Sequence, residues 1–469
     1  MSSCYQYAIA VGDVLSRAHV DQPPPKIHSK DYKLSIAPRL LILLLASIPA
    51  LAIANGAFAQ NLTAFSAAIL LGVAAVGPQA DVSATSQLLK LLYLAALFPI
   101  LWMIGQIVPI PFSSVANSIW LTASTALGEP SLLGHVSVDP GATIRALIVY
   151  LSSLSLIVAT TIIARDRKRA ETIFLVLSTV TTFMSAEFLI GQFDAFAGML
   201  PTAGSAEATT FLAMSMLSAL ANGAIIMMVM EGYLSRRELE NSSLTPLVVR
   251  LALAVSGIAI SLTTMKSFAP NSDLTAMVFG FAAILFVAVV RRLGFQSWPS
   301  VILFVVFAGI AATIAIPRFQ NDPTGGIAGF AASATAESLT LAKRAMADAP
   351  WLGNGVGTFR SLRLIYQDFG TAPALQAPST ATAIAIEWGQ PALAIIAAFV
   401  FQLFVLTFRG ALRRGRDSFF SAAAAASILA TLWEAFFDPS LLSPVVQIII
   451  SIIVGLGLAQ SVGRTSGLK

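Results

Sequence analysis

Long apolar stretches separated by short polar segments run through almost the whole chain. A helix crosses a hydrocarbon core about 30 Å thick with roughly 20 apolar residues. On that criterion the pattern predicts twelve membrane-spanning helices. They lie near residues 40–59, 62–77, 89–109, 144–164, 172–191, 211–232, 248–265, 273–290, 299–316, 381–407, 419–437 and 442–460. We therefore expect an all-α polytopic membrane protein with about 12 transmembrane helices.

The composition supports this fold class and excludes a large soluble domain. Of 469 residues, 57% are hydrophobic and 11% are charged, whereas soluble domains carry about 25% charged residues. The net charge of +5 reflects orientation in the membrane and gives no reason to expect nucleic acid as a partner. The single cysteine, Cys4, excludes an intrachain disulfide and a cysteine-based metal site.

Basic residues predict the orientation of the spans, because they collect at the cytoplasmic side. If the N-terminus is cytoplasmic, 21 of the 28 Lys and Arg residues fall inside and 7 outside. We therefore expect a cytoplasmic tail at 1–39, nine spans within 40–316, a large outer loop at 317–380, three spans within 381–460 and a cytoplasmic tail at 461–469.

The seven outer cations are unevenly distributed. Arg145 and Lys266 are single residues, whereas the large loop holds the other five, namely Arg318, Lys343, Arg344, Arg360 and Arg363. A loop of this length escapes the charge bias, which explains why cations are tolerated there but not why they cluster. Either an anionic ligand binds them, or they form a solvated surface or contact lipid headgroups; for Lys343 we favour the second explanation.

The loop sequence predicts two helices joined by a glycine-rich turn. The first helix covers 333–349 and the second covers 359–368, with Thr358 as its N-terminal cap. Between them Gly353, Gly355 and Gly357 allow positive φ or close approach of the backbone. This arrangement is expected to bring Arg344 near Arg360 and to leave a free helix N-terminus near Gly357. Guanidinium groups and helix N-termini bind phosphate oxygens.

The segment Ala349-Pro-Trp-Leu-Gly-Asn-Gly-Val-Gly-Thr-Phe359 resembles the "hP-hGhGhGxF" segment of the O-antigen ligase and Wzy polymerase superfamily. Further on, Pro378-Ser379 stands where that family usually has His-Asn, and Gly389-Gln-Pro-Ala392 follows at the family's spacing. Ser137-Val-Asp-Pro140 with Thr143 resembles a second family element, and Thr264-Met-Lys266-Ser267 lies where many members have a Ser-Arg pair. With twelve spans, the chain is most similar to rhizobial-type exopolysaccharide polymerases (PssT-like).

The resemblance implies a GT-C-like glycosyltransferase in the bacterial inner membrane. Such an enzyme transfers a glycan from polyprenyl diphosphate to an acceptor sugar hydroxyl at the periplasmic face. It needs no metal or other cofactor, and cationic side chains stabilise the departing diphosphate. The implied partners are the polyprenyl-diphosphate-linked oligosaccharide, the lipid bilayer, and a chain-length regulator with export proteins.

Candidate site residues follow from the loop and from the resemblance. As catalytic residues we expect Arg344, Arg360 and Arg363 on the diphosphate, and Glu387 as the general base in place of the absent histidine. Glu387 lies one to two turns into the predicted tenth span, where an ionisable group is costly. The alternative to a catalytic role is a hydrogen bond to a neighbouring helix or partial exposure at the interface. As substrate-binding residues we expect Arg145, Lys266, Arg318, Gly353, Gly355 and Gly357.

Three other functions stay open at this point. A ligase that joins the glycan to lipid A core uses the same chemistry with a different acceptor. A twelve-span transporter or flippase of polysaccharide precursors predicts related halves and broken helices at the midplane, and no convincing repeat is visible. An inactive relative that acts as an assembly partner is the third.

Overall fold

The structure, a computed structural model, describes residues 30–54, 56–77, 79–90, 92–111, 115–129, 131–193, 200–203, 205, 207–236, 245–293, 326–331, 334–367, 376–413 and 417–461. Within these ranges the chain forms α-helices and two short 3-10 turns, and no β-sheet. The expected all-α class is confirmed for this part of the chain.

Nine helices in the described ranges are long and apolar enough to cross a membrane. They are α1 (Lys30–Ala54), α2 (Ala57–Ala75), α6 (Pro140–Ile163), α7 (Arg167–Ile190), α8 (Ala208–Arg236), α9 (Thr245–Phe268), α10 (Asn271–Leu293), α14 (Gln390–Arg413) and α16 (Pro444–Ser461). Seven shorter helices complete the set, namely α3 (Gln79–Lys90), α4 (Tyr93–Ile107), α5 (Ser118–Leu127), α11 (Ala336–Ala347), α12 (Phe359–Tyr366), α13 (Thr380–Glu387) and α15 (Ser418–Glu434). The chain is therefore a membrane-embedded, polytopic helical protein.

The twelve predicted spans agree with the observed helices to different extents. Nine correspond to the long apolar helices, and the third and eleventh correspond to α4 and α15, which are apolar but shorter. The ninth, at 299–316, lies outside the described residues, as do Arg318 and most of both predicted tails. α1 begins at Lys30, so the last ten residues of the predicted N-terminal tail, 30–39, are helical.

The predicted tenth span is wrong at its start. Residues 381–407 do not form one helix, because α13 ends at Glu387 and α14 begins at Gln390. Gly389 separates them with a φ of +89°, a left-handed conformation that a right-handed helix cannot include. Glu387 is therefore the last residue of a short helix that precedes the span, and is not inside the span.

α8 lies at the centre of the bundle and is buried along nearly all of its apolar length. Small residues let the neighbouring helices approach closely: a Cβ on Gly280 would lie 2.6 Å from Leu220, and one on Gly457 would lie 2.2 Å from Ala424. Polar side chains also join the helices, since Asn222 of α8 bonds Ser178 and Thr182 of α7 at 2.9 Å each.

The loop helices form a separate small core at one end of the bundle. Residues that α11, α12 and α13 contribute to it include Leu341, Ala345, Phe359, Leu362 and Ile386, all less than 7% exposed. The predicted loop helices are confirmed with shorter bounds: α11 begins after its cap Thr335, and α12 ends at Tyr366. This core fixes the segment between α11 and α12 against α13.

Candidate functional site

The glycine turn (residues 350–358) is bound along its length to the end of α13. The Asn354 N–H donates to the Ile386 carbonyl at 3.1 Å, and the Gly355 N–H donates to the Glu387 carbonyl at 3.0 Å. Gly353, Gly355 and Gly357 all have positive φ, at +76°, +104° and +79°. The backbone in this turn therefore takes conformations that other residues rarely adopt.

Gly353 and Gly389 lie where main chain packs closely on main chain, which leaves no room for a side chain. A Cβ on Gly353 would lie 2.2 Å from the Glu387 carbonyl oxygen, and one on Gly389 would lie 2.1 Å from the Trp351 carbonyl oxygen. Gly355 faces Ser137, whose Oγ would lie 2.2 Å from the added carbon. The glycines proposed to bind substrate are thus in contact with other parts of this chain.

The Glu387 carboxylate accepts two main-chain hydrogen bonds from the turn. Its Oε2 accepts from the Gly357 N–H and its Oε1 from the Phe359 N–H, each at 2.9 Å. The residue is 7% exposed. Burial raises the pKa of Glu387 from 4.5 to about 7, and the two N–H groups partly oppose that rise. This geometry matches the alternative of a hydrogen bond to a neighbouring helix.

The expected cap and free N-terminus of α12 are both wrong. The Thr358 side chain makes no capping bond; its hydroxyl donates to the Gly355 carbonyl at 2.6 Å. Glu387, distant in sequence, supplies the carboxylate that a helix N-terminus favours. Thr358 cannot do so because its backbone has helical-like angles, φ −92° and ψ 1°, rather than the extended angles typical of a capping residue.

α4 holds the turn and α13 from the other side. Gln106 is 2% exposed, and its Nε2 donates to the carbonyls of Leu352 at 2.7 Å and Glu387 at 3.0 Å. Its Oε1 accepts from the Val356 N–H at 3.2 Å. One helical turn earlier, the Trp102 indole N–H donates to the Trp388 carbonyl at 3.0 Å.

The segment before α6 forms the third side of the site. The Val138 N–H donates to the Asn354 carbonyl at 2.8 Å, and the Asn354 side chain accepts from Asn117 at 2.9 Å. Ser137 and Thr143 share a hydroxyl–hydroxyl bond of 2.8 Å. The Ser-x-Asp-Pro-x-x-Thr element is therefore placed directly against the glycine turn, although the two are more than 200 residues apart.

Asp139 joins the start of α6 to the first turn of α12. Its Oδ1 caps α6 by accepting from the Ala142 N–H at 2.9 Å. Its Oδ2 accepts from the Ser361 hydroxyl at 3.1 Å and lies 4.0 Å from the Arg145 guanidinium. The side chains of Arg145 and Asp139 are 65% and 36% exposed, so this junction is open to a ligand.

The loop arginines are not placed as one cluster. Arg344 does not lie at the start of α12, as expected, because its guanidinium donates to the Tyr366 carbonyl at 3.3 Å, at the helix's far end. Arg360 is exposed in the first turn of α12, next to Ser361. Arg363 is half-buried, and its buried Nε has no hydrogen-bond partner among the described residues.

Lys266 and Arg318 are the remaining predicted substrate-binding residues. Lys266 is exposed in the last turn of α9, and Arg318 lies outside the described residues. Within the described ranges no group of three or more His, Cys, Asp and Glu side chains has a metal-binding arrangement.

Sequence reasoning missed Gln106 and Asn117, which bond the turn from outside the loop, and Trp102, which bonds Trp388 just after α13. One signal pointed to Gln106, since it is a polar residue at the end of an otherwise apolar helix, where burial demands hydrogen-bond partners. Comparisons of the chain with protein-family models, with curated proteins and with solved structures find no match.

Proposed function

We propose that this protein is a polymerase of lipid-linked exopolysaccharide repeat units. It transfers a glycan from polyprenyl diphosphate to an acceptor sugar hydroxyl at the outer face of a bacterial inner membrane. The observation that carries the proposal is the junction of α6 and α12, where Asp139 accepts from Ser361 and lies 4.0 Å from the exposed Arg145 guanidinium. Support also comes from the membrane-embedded bundle beside it, which suits a substrate that carries a lipid.

The reaction needs two kinds of group, a cation for the departing diphosphate and a base for the acceptor hydroxyl. The bond between the anomeric carbon and the diphosphate oxygen breaks as the acceptor oxygen bonds that carbon, and the acceptor's proton passes to a base. Guanidinium groups stabilise the charge that develops on the departing diphosphate. Arg145 is the exposed cation at the junction, and Arg360, next to Ser361 in sequence, is exposed in the same turn of α12.

Two carboxylates are candidates for the base. Glu387 has a raised pKa, which suits proton uptake near neutral pH, but both of its oxygens already accept main-chain N–H groups. Asp139 also accepts with both oxygens, but it is more exposed, and the partner of its Oδ2 is a side-chain hydroxyl at the open junction. The geometry therefore favours Asp139 over Glu387 for contact with an acceptor hydroxyl, and gives Glu387 the task of holding the turn.

The proposal is tested by deleting the gene and analysing the glycan on the lipid carrier. We expect no polymer and an accumulation of single repeats on lipid. Polymer present but not joined to lipid A core would indicate a ligase, and repeats confined to the cytoplasmic leaflet would indicate a transporter. Either result overturns the proposal.

Complementation then tests the arginines. Replacing Arg360 or Arg145 with Ala should cost about 2–4 kcal/mol of transition-state stabilisation, the scale of one lost preorganised donor. Lys should rescue incompletely, because it lacks the planar fork. Arg413→Ala is the control, since Arg413 is exposed in the last turn of α14, more than twenty residues along the helix from Gln390. Normal polymer from Arg360→Ala and Arg145→Ala at unchanged protein level would remove these residues from the mechanism.

A further inference from the structure

We propose that Gln106 is the positioning residue of this site, through which α4 sets the placement of the glycine turn and of α12. The expected effect of Gln106 on polymer synthesis rests on the function proposed above, whereas its expected effect on the glycine turn does not. Its basis is the geometry of one buried amide. Gln106 contacts the turn and the end of α13 at once, through three hydrogen bonds of 2.7, 3.0 and 3.2 Å.

All three bonds go to main-chain atoms, and for two of them no other partner is recorded within the described ranges. The Leu352 carbonyl and the Val356 N–H each bond Gln106, whereas the Glu387 carbonyl also accepts from Gly355. An apolar side chain at 106 would leave both groups without this partner. The loss is greatest for the N–H of Val356, which is 7% exposed, because the desolvation of a buried donor is then no longer compensated.

The effect of Gln106 reaches the proposed site through the chain itself. Val356 is followed directly by Gly357, whose N–H binds the Glu387 carboxylate, and then by Phe359, where α12 begins. α12 carries Arg360 and Ser361. A change at Gln106 therefore moves the start of α12 relative to Asp139 without touching any residue that faces the ligand.

α4 is suited to this task by two further contacts on the same part of the helix. Trp102 lies one turn before Gln106 and donates to the Trp388 carbonyl. The Gln106 carbonyl accepts from the Ser137 N–H at 3.1 Å. The outer turn of α4 is thus bonded to all three segments that build the site, so a shift of this helix in the membrane would be transmitted to the site.

The experiment compares Gln106→Leu and Gln106→Glu with the same changes at Gln460. Gln460 is a matched control because it is also buried, at 4% exposure, near the end of a helix, and donates to a main-chain carbonyl, that of Ala164, at 2.6 Å. The readout is amide hydrogen exchange of the segment 352–360 in purified protein, together with polymer synthesis.

For Gln106→Leu we expect exchange in 352–360 to rise by about tenfold or more and polymer synthesis to fall in parallel. The Gln460 variants should lower thermal stability but leave exchange in 352–360 unchanged. Gln106→Glu places an ionisable group against two carbonyl oxygens. Its neutral form can donate to one of them, so protection and synthesis should recover as the pH falls.

The proposal is overturned if exchange in 352–360 is unchanged in Gln106→Leu. It is also overturned if exchange and synthesis depend on pH in the same way in Gln106→Glu and in the wild type. Raised exchange with normal synthesis would also overturn it, because the turn would then be loosened without consequence for the site. If the deletion strain shows that the protein is no polymerase, the exchange results still decide whether Gln106 positions the turn. Should Gln106→Leu fail to fold, Gln106→Glu provides the same test at high pH, where its ionised form cannot donate to either carbonyl.

Discussion

Glu387 accepts the first main-chain N–H of the helix that begins at Phe359, with 2.9 Å between its Oε1 and the Phe359 nitrogen. The two residues are 28 positions apart, so the cap of α12 comes from the end of α13. If the capping group came from the residues at the start of α12 itself, the cap would depend only on the local sequence. This one ties the start of α12 to the placement of α13.

Glu387→Gln should loosen this cap. The amide oxygen can replace one carboxylate oxygen, but the amide NH2 then faces a main-chain N–H and cannot accept from it. One donor is left unpaired, either the buried Phe359 N–H or the part-buried Gly357 N–H, which costs about 1–3 kcal/mol of unfolding free energy. Thermal or denaturant unfolding measures the loss. Glu337→Gln, in the first turn of α11 and exposed, is the control and should change stability by a few tenths of a kcal/mol.

Gly389→Ala should be among the most damaging single changes in the described chain. The added carbon would lie 2.1 Å from the Trp351 carbonyl oxygen, at a residue whose φ is +89°. Both the strain and the displaced main chain act against folding. Gly105→Ala is the matched control, because nothing lies within 4 Å of the added carbon and alanine favours a helix by about 1 kcal/mol over glycine. Comparable stability of the two variants would contradict the close packing described here.

The pH dependence of stability should carry a contribution from Glu387. Its pKa is raised by burial from 4.5 to about 7, so the folded chain binds this proton more tightly than the unfolded chain. Stability from this group is fully present below pH 4.5 and is lost as the pH rises to about 7. The difference in unfolding free energy between wild type and Glu387→Gln isolates this contribution, because all other acidic groups titrate in both proteins. A difference that is constant from pH 4 to 8 would exclude this assignment.

The orientation of the loop is open to a direct labelling test. In a Cys4→Ser background, Glu337→Cys should react in intact cells with a maleimide that cannot cross the membrane. Lys168→Cys, exposed at the start of α7, should react only after lysis. This follows from the excess of basic residues at the predicted cytoplasmic ends. The reverse pattern would place the proposed site in the cytoplasm and rule out a periplasmic polymerase.

The membrane helices were predictable from the sequence because their signal is local. Twenty apolar residues identify a span wherever it packs, and α11 and α12 were visible from their end signals and apolar faces. The site was not predictable in the same way. Thr358 is a good capping residue by type, but whether it caps depends on its backbone angles, which Glu387 and Gln106 help to set from distant positions. A tight turn between the two helices predicts Arg344 near Arg360. The turn instead packs around α13, which brings Arg344 to the far end of α12.

The mutual packing of Gly353 against Glu387 and of Gly389 against Trp351 has a consequence for engineering this loop. Each segment has a surface that fits only the other, so neither is a self-contained module. A chimera that exchanges residues 350–359 alone would combine a donor turn with a host α13 and should misfold, whatever its arginines. The smallest unit that can be transplanted includes the last turns of α4, the segment 137–143 and the chain from 336 to 389 together.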